Sequence, residues 1–239
     1  SMGAQRARWT AWSVHLLTAS GGAIGLFALI AISTGRLAVA VYLMLAALVV
    51  DSVDGTLARA ARVDVHAAAL DGRRLDDIVD YLNYVIVPVF FLGMAGLVLH
   101  PAWLAAPVLA SAFGFAQVEA KTEDDFFLGF PSYWNVLAIY LWLFDASPAL
   151  STAALFGLSL AVFVPLKYLY PSKLEPRALR RALGLGGIAW CTTLAACAGT
   201  PEWTQGLWLR ELSLLYPAWY LGLSFTRGGF SDRGRRSDR

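Results

Sequence analysis

The sequence predicts an all-α, polytopic membrane bundle of about eight transmembrane helices, on three observations. Of 239 residues, 58% are hydrophobic and 15% charged, against ~45–50% apolar and ~25% charged in soluble domains. The apolar residues gather into runs of roughly twenty, the length that crosses a ~30 Å hydrocarbon core. The basic residues fall in alternate connections between those runs, as positive-inside charge does. A soluble protein hides one such run as a core helix, but not several.

Taken in order, the spans read as 12–34, 36–54, 77–99, 102–120, 131–146, 150–170, 182–198 and 207–225. The second and third are interrupted by carboxylates at their ends, and the fifth is short and proline-led. Only short connections remain. Residues 1–239 therefore read as a single membrane-embedded domain, with a polar, basic tail over 227–239.

Arg6 and Arg8 precede span one, and the connection between spans two and three holds Arg59, Arg62, Arg73 and Arg74. Lys121 lies between spans four and five, and Lys173, Arg177, Arg180 and Arg181 between six and seven. The tail adds Arg227, Arg233, Arg235, Arg236 and Arg239, while the opposite side has little beyond Arg36. Both chain ends and the second connection are thus expected in the cytoplasm. Net charge is only +2, but a one-sided basic face draws in anionic membrane lipid. The arginines follow the topology rather than one patch, which argues against a nucleic-acid partner. Cys191 and Cys197 share one apolar span, a placement for packing rather than for a disulfide framework.

The chemistry concentrates in residues 51–84, DSVDGTLARAARVDVHAAALDGRRLDDIVDYLNY. Asp51 and Asp54 are three apart at the end of span two, and Asp76 and Asp80 four apart at the start of span three. Each spacing puts its pair on one helix face. Two antiparallel helices then present four carboxylates to one place, where they repel and raise one another's pKa values unless cations intervene. All-oxygen ligation suits Mg²⁺ or Mn²⁺. Ionisable groups held inside a membrane bundle mark function, whereas Asp64, Asp71 and Asp77 read as ordinary loop and headgroup charge. Gly55 and Ala58 leave room for a ligand beside the carboxylates, Arg59 offers a guanidinium to phosphate oxygens, and Gly72 lets the third span enter closely before Asp76.

Asp51, Asp54, Gly55, Ala58 and Arg59, followed by Gly72, Asp76 and Asp80, fill every fixed position of D-x2-D-G-x2-A-R…G-x3-D-x3-D. In this the chain resembles the CDP-alcohol phosphatidyltransferase family. It departs in its twelve-residue gap between Arg59 and Gly72, which is shorter in most of the family. The longer gap resembles a bacterial branch that joins CDP-diacylglycerol directly to choline. Two further stretches resemble that branch: VHLLTASG, and KTEDDFFLGFPSYWN with the later VPLKYLYPS.

The resemblance implies an inner-membrane enzyme of phospholipid synthesis with its active site facing the cytoplasm, and a homodimer. It implies two Mg²⁺ or Mn²⁺ ions on Asp51, Asp54, Asp76 and Asp80. Asp80 is implied as the general base and Arg59 as a catalytic cation. The CDP-lipid is implied to contact His15, Thr18, Asp54, Gly55, Ala58, Arg59 and Gly72. Read from its residues alone, His15 is equally an interfacial histidine, and Thr18 a helix-bonding hydroxyl.

Choline carries a fixed positive charge that donates no hydrogen bond, and aromatic faces hold such groups. Phe126, Phe127, Phe130, Tyr133, Trp134, Tyr168 and Tyr170 supply aromatic surface, and Glu119, Asp124 and Asp125 negative charge. The expected acceptor site is Glu119, Tyr133, Trp134 and Tyr168. Aromatic belts at membrane interfaces give the competing explanation. Inositol, serine or glycerol phosphate are alternative acceptors, with Lys121, Lys167 and Lys173 available to a phosphate. A cation-coupled transporter is a rival of another class, although its polar groups belong near the bilayer midplane. A non-catalytic scaffold needs no complete set of four Asp.

Overall fold

The structure, a computed structural model, describes residues 2–117 and 126–228. Helix α1 (Met2–Ser33) and helix α2 (Leu37–Ala61) form a long antiparallel hairpin, the most extensive pairing in the molecule. The buried stripe of α1 runs through Ala11, Val14, His15, Thr18, Gly21, Gly25, Ala28 and Ile32, the three- and four-residue rhythm of one helix face. At the hairpin tip Gly35 takes φ +73, Gly35 N donates to Ile32 O and Arg36 N to Ala31 O. This paired closure satisfies the last carbonyls of α1 and needs a left-handed residue, which glycine supplies without strain.

A single turn, α3 (Val63–His66), follows α2. Asp71 then caps α4 (Gly72–Tyr81), its side chain accepting from Arg74 N at 3.1 Å. Through a π-helical turn, Leu82–Ile86, α4 runs on into α5 (Val87–Met94) as one continuous helix. Pro88 explains where the wider turn falls: it has no N–H for the Tyr84 carbonyl four residues back, and its ring crowds that carbonyl.

After a 3₁₀ turn (Pro101–Leu104) come α6 (Ala105–Ala116), α7 (Trp134–Leu143) and α8 (Pro148–Ala161). Then follow α9 (Arg177–Gly199), α10 (Pro201–Gly206), α11 (Leu209–Ser213) and α12 (Leu215–Arg227). The core centres on Trp134, Phe91, Leu92, Ile32, Ile139, Leu155 and Leu194, with side chains from α1, α5, α7, α8 and α9.

The helical class expected from the sequence is what the structure has, with differences in extent. Among the described residues, four helices are long and apolar enough to cross a membrane: Met2–Ser33, Leu37–Ala61, Gly72–Met94 and Arg177–Gly199. Pro101–Ala116, Trp134–Leu143 and Pro148–Ala161 are apolar but shorter, so helices of spanning length do not reproduce the count of eight. The run read as span eight is divided at Leu214 into α11 and α12, and Trp208, in the left-handed region at φ 53, separates its start from α10. The run read as span six ends as helix at Ala161, and its remainder forms strand β2 (Lys167–Leu169), antiparallel to β1 (Phe126–Leu128). Pro165 and the close passage of Gly129, whose φ is +78 and whose amide donates to Leu166 O at 2.9 Å, turn the chain out of helix there.

Large apolar side chains cover the outside: Leu16, Phe27 and Ile30 on α1, Leu109 and Phe113 on α6, Leu185 and Ile188 on α9, Phe225 on α12. A belt of that extent is a surface for lipid rather than water. The fold is that of an integral membrane protein.

Candidate active site

The α1–α2–α4 assembly gathers the carboxylates. Asp51 and Asp54 come from the second half of α2, and Asp76 and Asp80 from the middle and the last turn of α4. Asp51, Asp76 and Asp80 each offer a carboxylate oxygen within 4.8 Å of the others, and all three are half-buried. Asp54 lies outside that trio. It is buried, at 5% exposure, and faces α1, where Thr18 is its side-chain partner. A spacing of three turns a helix about 60° short of a full circle, so Asp54 leans off the face of Asp51.

Small residues make this convergence possible. A Cβ on Gly21 would stand 2.9 Å from Val79, and one on Gly25 would collide with Asn83 and Leu82. Asn83 instead donates to Gly21 O at 2.9 Å, tying α1 to the π-helical turn beyond Asp80. A Cβ on Gly72 would come within 3.0 Å of His15 Cε1. Gly72 therefore lets the start of α4 pass against α1, as its position before Asp76 suggests. His15 is buried with its ring edge-on to Trp12, and among the described residues its Nε2 has no hydrogen-bond partner. Arg59 is exposed, with its Nη1 3.6 Å from where a Gly55 Cβ would stand and its Nη2 donating to Thr56 at 3.3 Å. Ala58 is half-buried one residue before it, and Asp64 is exposed on α3.

The aromatic residues divide. Tyr133 sits just before the first residue of α7 with its ring 6.1 Å from Tyr84, whose hydroxyl donates to Asp51 Oδ2 at 2.5 Å. The Tyr133 and Tyr220 hydroxyls are 3.3 Å apart, which brings α12 to the same neighbourhood. Phe130 lies between Tyr133 and Tyr168, 6.5 Å from each ring. Trp134 is fully buried, its indole nitrogen donating to Ser111 at 2.7 Å and its ring packing on Phe130. It sits in the core behind Phe130. Glu119, Lys121, Asp124 and Asp125 lie outside the described residues.

Sequence reasoning passed over Gly21, Gly25, Asn83, Tyr84 and Tyr220. The two glycines had a signal, since small residues four apart in an apolar span mark a helix contact. Asn83 had one as well, as a lone amide inside an apolar run. Tyr84 lies four residues beyond Asp80, but nothing local ties it to Asp51.

The donor set fits a hard divalent cation. Three carboxylates close together, with a fourth on the adjoining turn, offer only oxygen. The sequence profile of the CDP-alcohol phosphatidyltransferase family matches residues 14–165, from α1 through the end of α8 and beyond. The chain belongs to that family, whose reaction joins a CDP-alcohol and an acceptor alcohol. It is 40% identical to the phosphatidylcholine synthase of Legionella pneumophila over 229 residues, 92% of this chain and 89% of the relative. It is also 40% identical to that of Legionella bozemanae over 212 residues, covering 85% and 97%. The phosphatidylcholine synthase of Pseudomonas aeruginosa is 36% identical over 168 residues, covering 69% and 71%.

Proposed function

We propose that the chain is a phosphatidylcholine synthase, moving the phosphatidyl group of CDP-diacylglycerol to choline and releasing CMP. The observation that carries this reading is the convergence of Asp51, Asp76 and Asp80 in a member of this family, beside an aromatic group that includes Tyr133. Relatives over most of the chain are named for the same activity.

In this reading Asp51, Asp54, Asp76 and Asp80 hold two Mg²⁺ or Mn²⁺ ions. When bound, such ions neutralise diphosphate charge and lower the barrier to losing CMP. The chain's own groups do the rest. Arg59, on an exposed and adjustable side chain, takes phosphate oxygens of the departing CMP. His15 and Thr18 line the α1 side, and the buried Nε2 of His15 supplies a polar atom for the nucleotide. Gly55 and Ala58 leave room for it on the α2 side, and Gly72 brings the start of α4 against His15. Asp80 accepts the proton of the choline hydroxyl as its oxygen bonds to the phosphorus nearer the diacylglycerol. The bond from that phosphorus to the CMP oxygen breaks. This is transfer by positioning and electrostatics. Tyr133 and Tyr168 face the quaternary ammonium, with Glu119 adding negative charge and Trp134 backing Phe130.

The basic connections support an inner-membrane orientation with the site at the cytoplasmic face. The full chain then works as one domain, in a homodimer. An acceptor panel tests the activity: purified protein in detergent with CDP-diacylglycerol, Mg²⁺ or Mn²⁺, and choline, inositol, serine or glycerol phosphate in turn. CMP release is expected with choline and the ion together. Release driven by inositol, serine or glycerol phosphate instead of choline overturns the assignment.

A further inference from the structure

Tyr84 is 7% exposed, and it sits in the π-helical turn Leu82–Ile86 that Pro88 places in the third long helix. A buried phenol needs an acceptor. Here the acceptor is the carboxylate of Asp51 on the neighbouring helix, at 2.5 Å from Tyr84 Oη to Asp51 Oδ2, across 33 residues of sequence. The adjoining residue of the turn, Asn83, is held too, by its bond to Gly21 O. The wide turn thus has α1 on one side and Asp51 on the other, and π-helical turns recur at functional sites.

We propose that Tyr84 is a positioning residue for the carboxylate cluster: its hydroxyl orients Asp51 so that Asp51, Asp76 and Asp80 present oxygens to one divalent ion. This rests on the metal-binding part of the proposed function. A hydroxyl on one oxygen of a carboxylate sets the plane of the group, and with it the direction of the other oxygen. Loss of that bond removes one of the contacts that orient Asp51 beside Asp76 and Asp80, and part of that order must then be supplied at each binding event. Outer hydrogen bonds of this kind are worth about 10–100-fold in metal affinity or activity. The contact also transmits position. Tyr84 packs on Tyr133 at the start of α7, and Tyr133 meets Tyr220 of α12, so Asp51 is referenced to helices that contribute no carboxylate to the cluster.

The test is Mn²⁺ binding to the purified full-length protein in detergent without CDP-lipid or choline, with free ion read by electron paramagnetic resonance. Tyr84→Phe removes the hydroxyl and keeps the ring. It is expected to weaken Mn²⁺ binding about 10–100-fold and to raise in parallel the Mn²⁺ concentration for half-maximal CMP release. Wild-type Mn²⁺ affinity in Tyr84→Phe overturns the proposal, whether or not its ion-free thermal midpoint moves. If the variant does not fold, 3-fluorotyrosine at position 84 keeps the hydroxyl. Its ¹⁹F resonance should then move on Mg²⁺ addition and stay still in an Asp51→Asn background, and a resonance indifferent to Mg²⁺ overturns the proposal. A wild-type protein that binds Mn²⁺ but uses another acceptor revises the activity and leaves this inference standing. A wild-type protein that binds no Mn²⁺ removes both.

Discussion

Asp80 lies one helical turn after Asp76 on α4, close enough to Asp51 and Asp76 to share an ion with them. The proposed mechanism asks it also to take a proton, and Asp80→Asn separates these duties. The amide keeps the size and one oxygen but cannot accept the proton. Turnover should fall ~10²–10⁴-fold, while CDP-lipid affinity at saturating Mg²⁺ falls far less, because Asp51, Asp54 and Arg59 are untouched. Equal losses of affinity and turnover would make Asp80 mainly a metal ligand. Asp64→Asn is the matched control: exposed on α3 and outside the cluster, it should leave both quantities near wild type. The contrast between these two aspartates was legible in the sequence, since the first sits at motif spacing and the second in the gap. The division between Asp54 and the trio was not, because it depends on how α1 lies against α2.

At the scale of elements, α1 and the Gly72–Met94 helix approach closely only because Gly21 and Gly25 carry no side chain. Gly21→Leu should force the two apart, breaking the Asn83–Gly21 bond and shifting Val79 one turn before Asn83. Overpacking of this kind costs ~1–3 kcal/mol, so the thermal midpoint in detergent should fall, and CMP release with it. Gly157→Ala on α8 serves as comparison, since a Cβ there meets nothing within 4 Å. It should not lower the midpoint. Equal midpoints for the two variants would remove Gly21 from the contact. Helix existence was readable from apolar runs. Where helices stop short was less so: hydropathy continues through 161–170, but Pro165 and the pairing of Lys167–Leu169 with Phe126–Leu128 replace helix by ribbon. An apolar run alone does not distinguish those two outcomes.

Over the whole molecule, the start of α1 and the loop after α2 share one end. A cavity of about 350 Å³ is lined by Ala4, Arg8 and Trp12 from α1 and by Val65, His66 and Ala67 beyond α2. That juxtaposition agrees with the shared side expected for Arg8 and Arg62. In a background with Cys191 and Cys197 replaced, single cysteines at Gln5 and Asp64 should react with a membrane-impermeant reagent from the cytoplasmic face only. Labelling of the two positions from opposite faces would break the proposed topology. The belt of exposed Leu, Ile, Phe and Val side chains requires lipid or detergent, so every measurement above belongs in one of them.

The sequence by itself determined the helical membrane class, the two carboxylate pairs and the glycines and arginine beside them. Hydropathy runs and spacings of three or four residues are local, and a helix converts them directly into faces. Only the tertiary structure decided which three carboxylates come within reach of one ion, that Asp54 turns to Thr18, and that Trp134 enters the core. It alone joined Tyr84 to Asp51 across 33 residues and Asn83 to Gly21 across 62. Pro88 places the π turn locally, but those pairings follow from how closely separate helices pack around it, which is not written in any one segment.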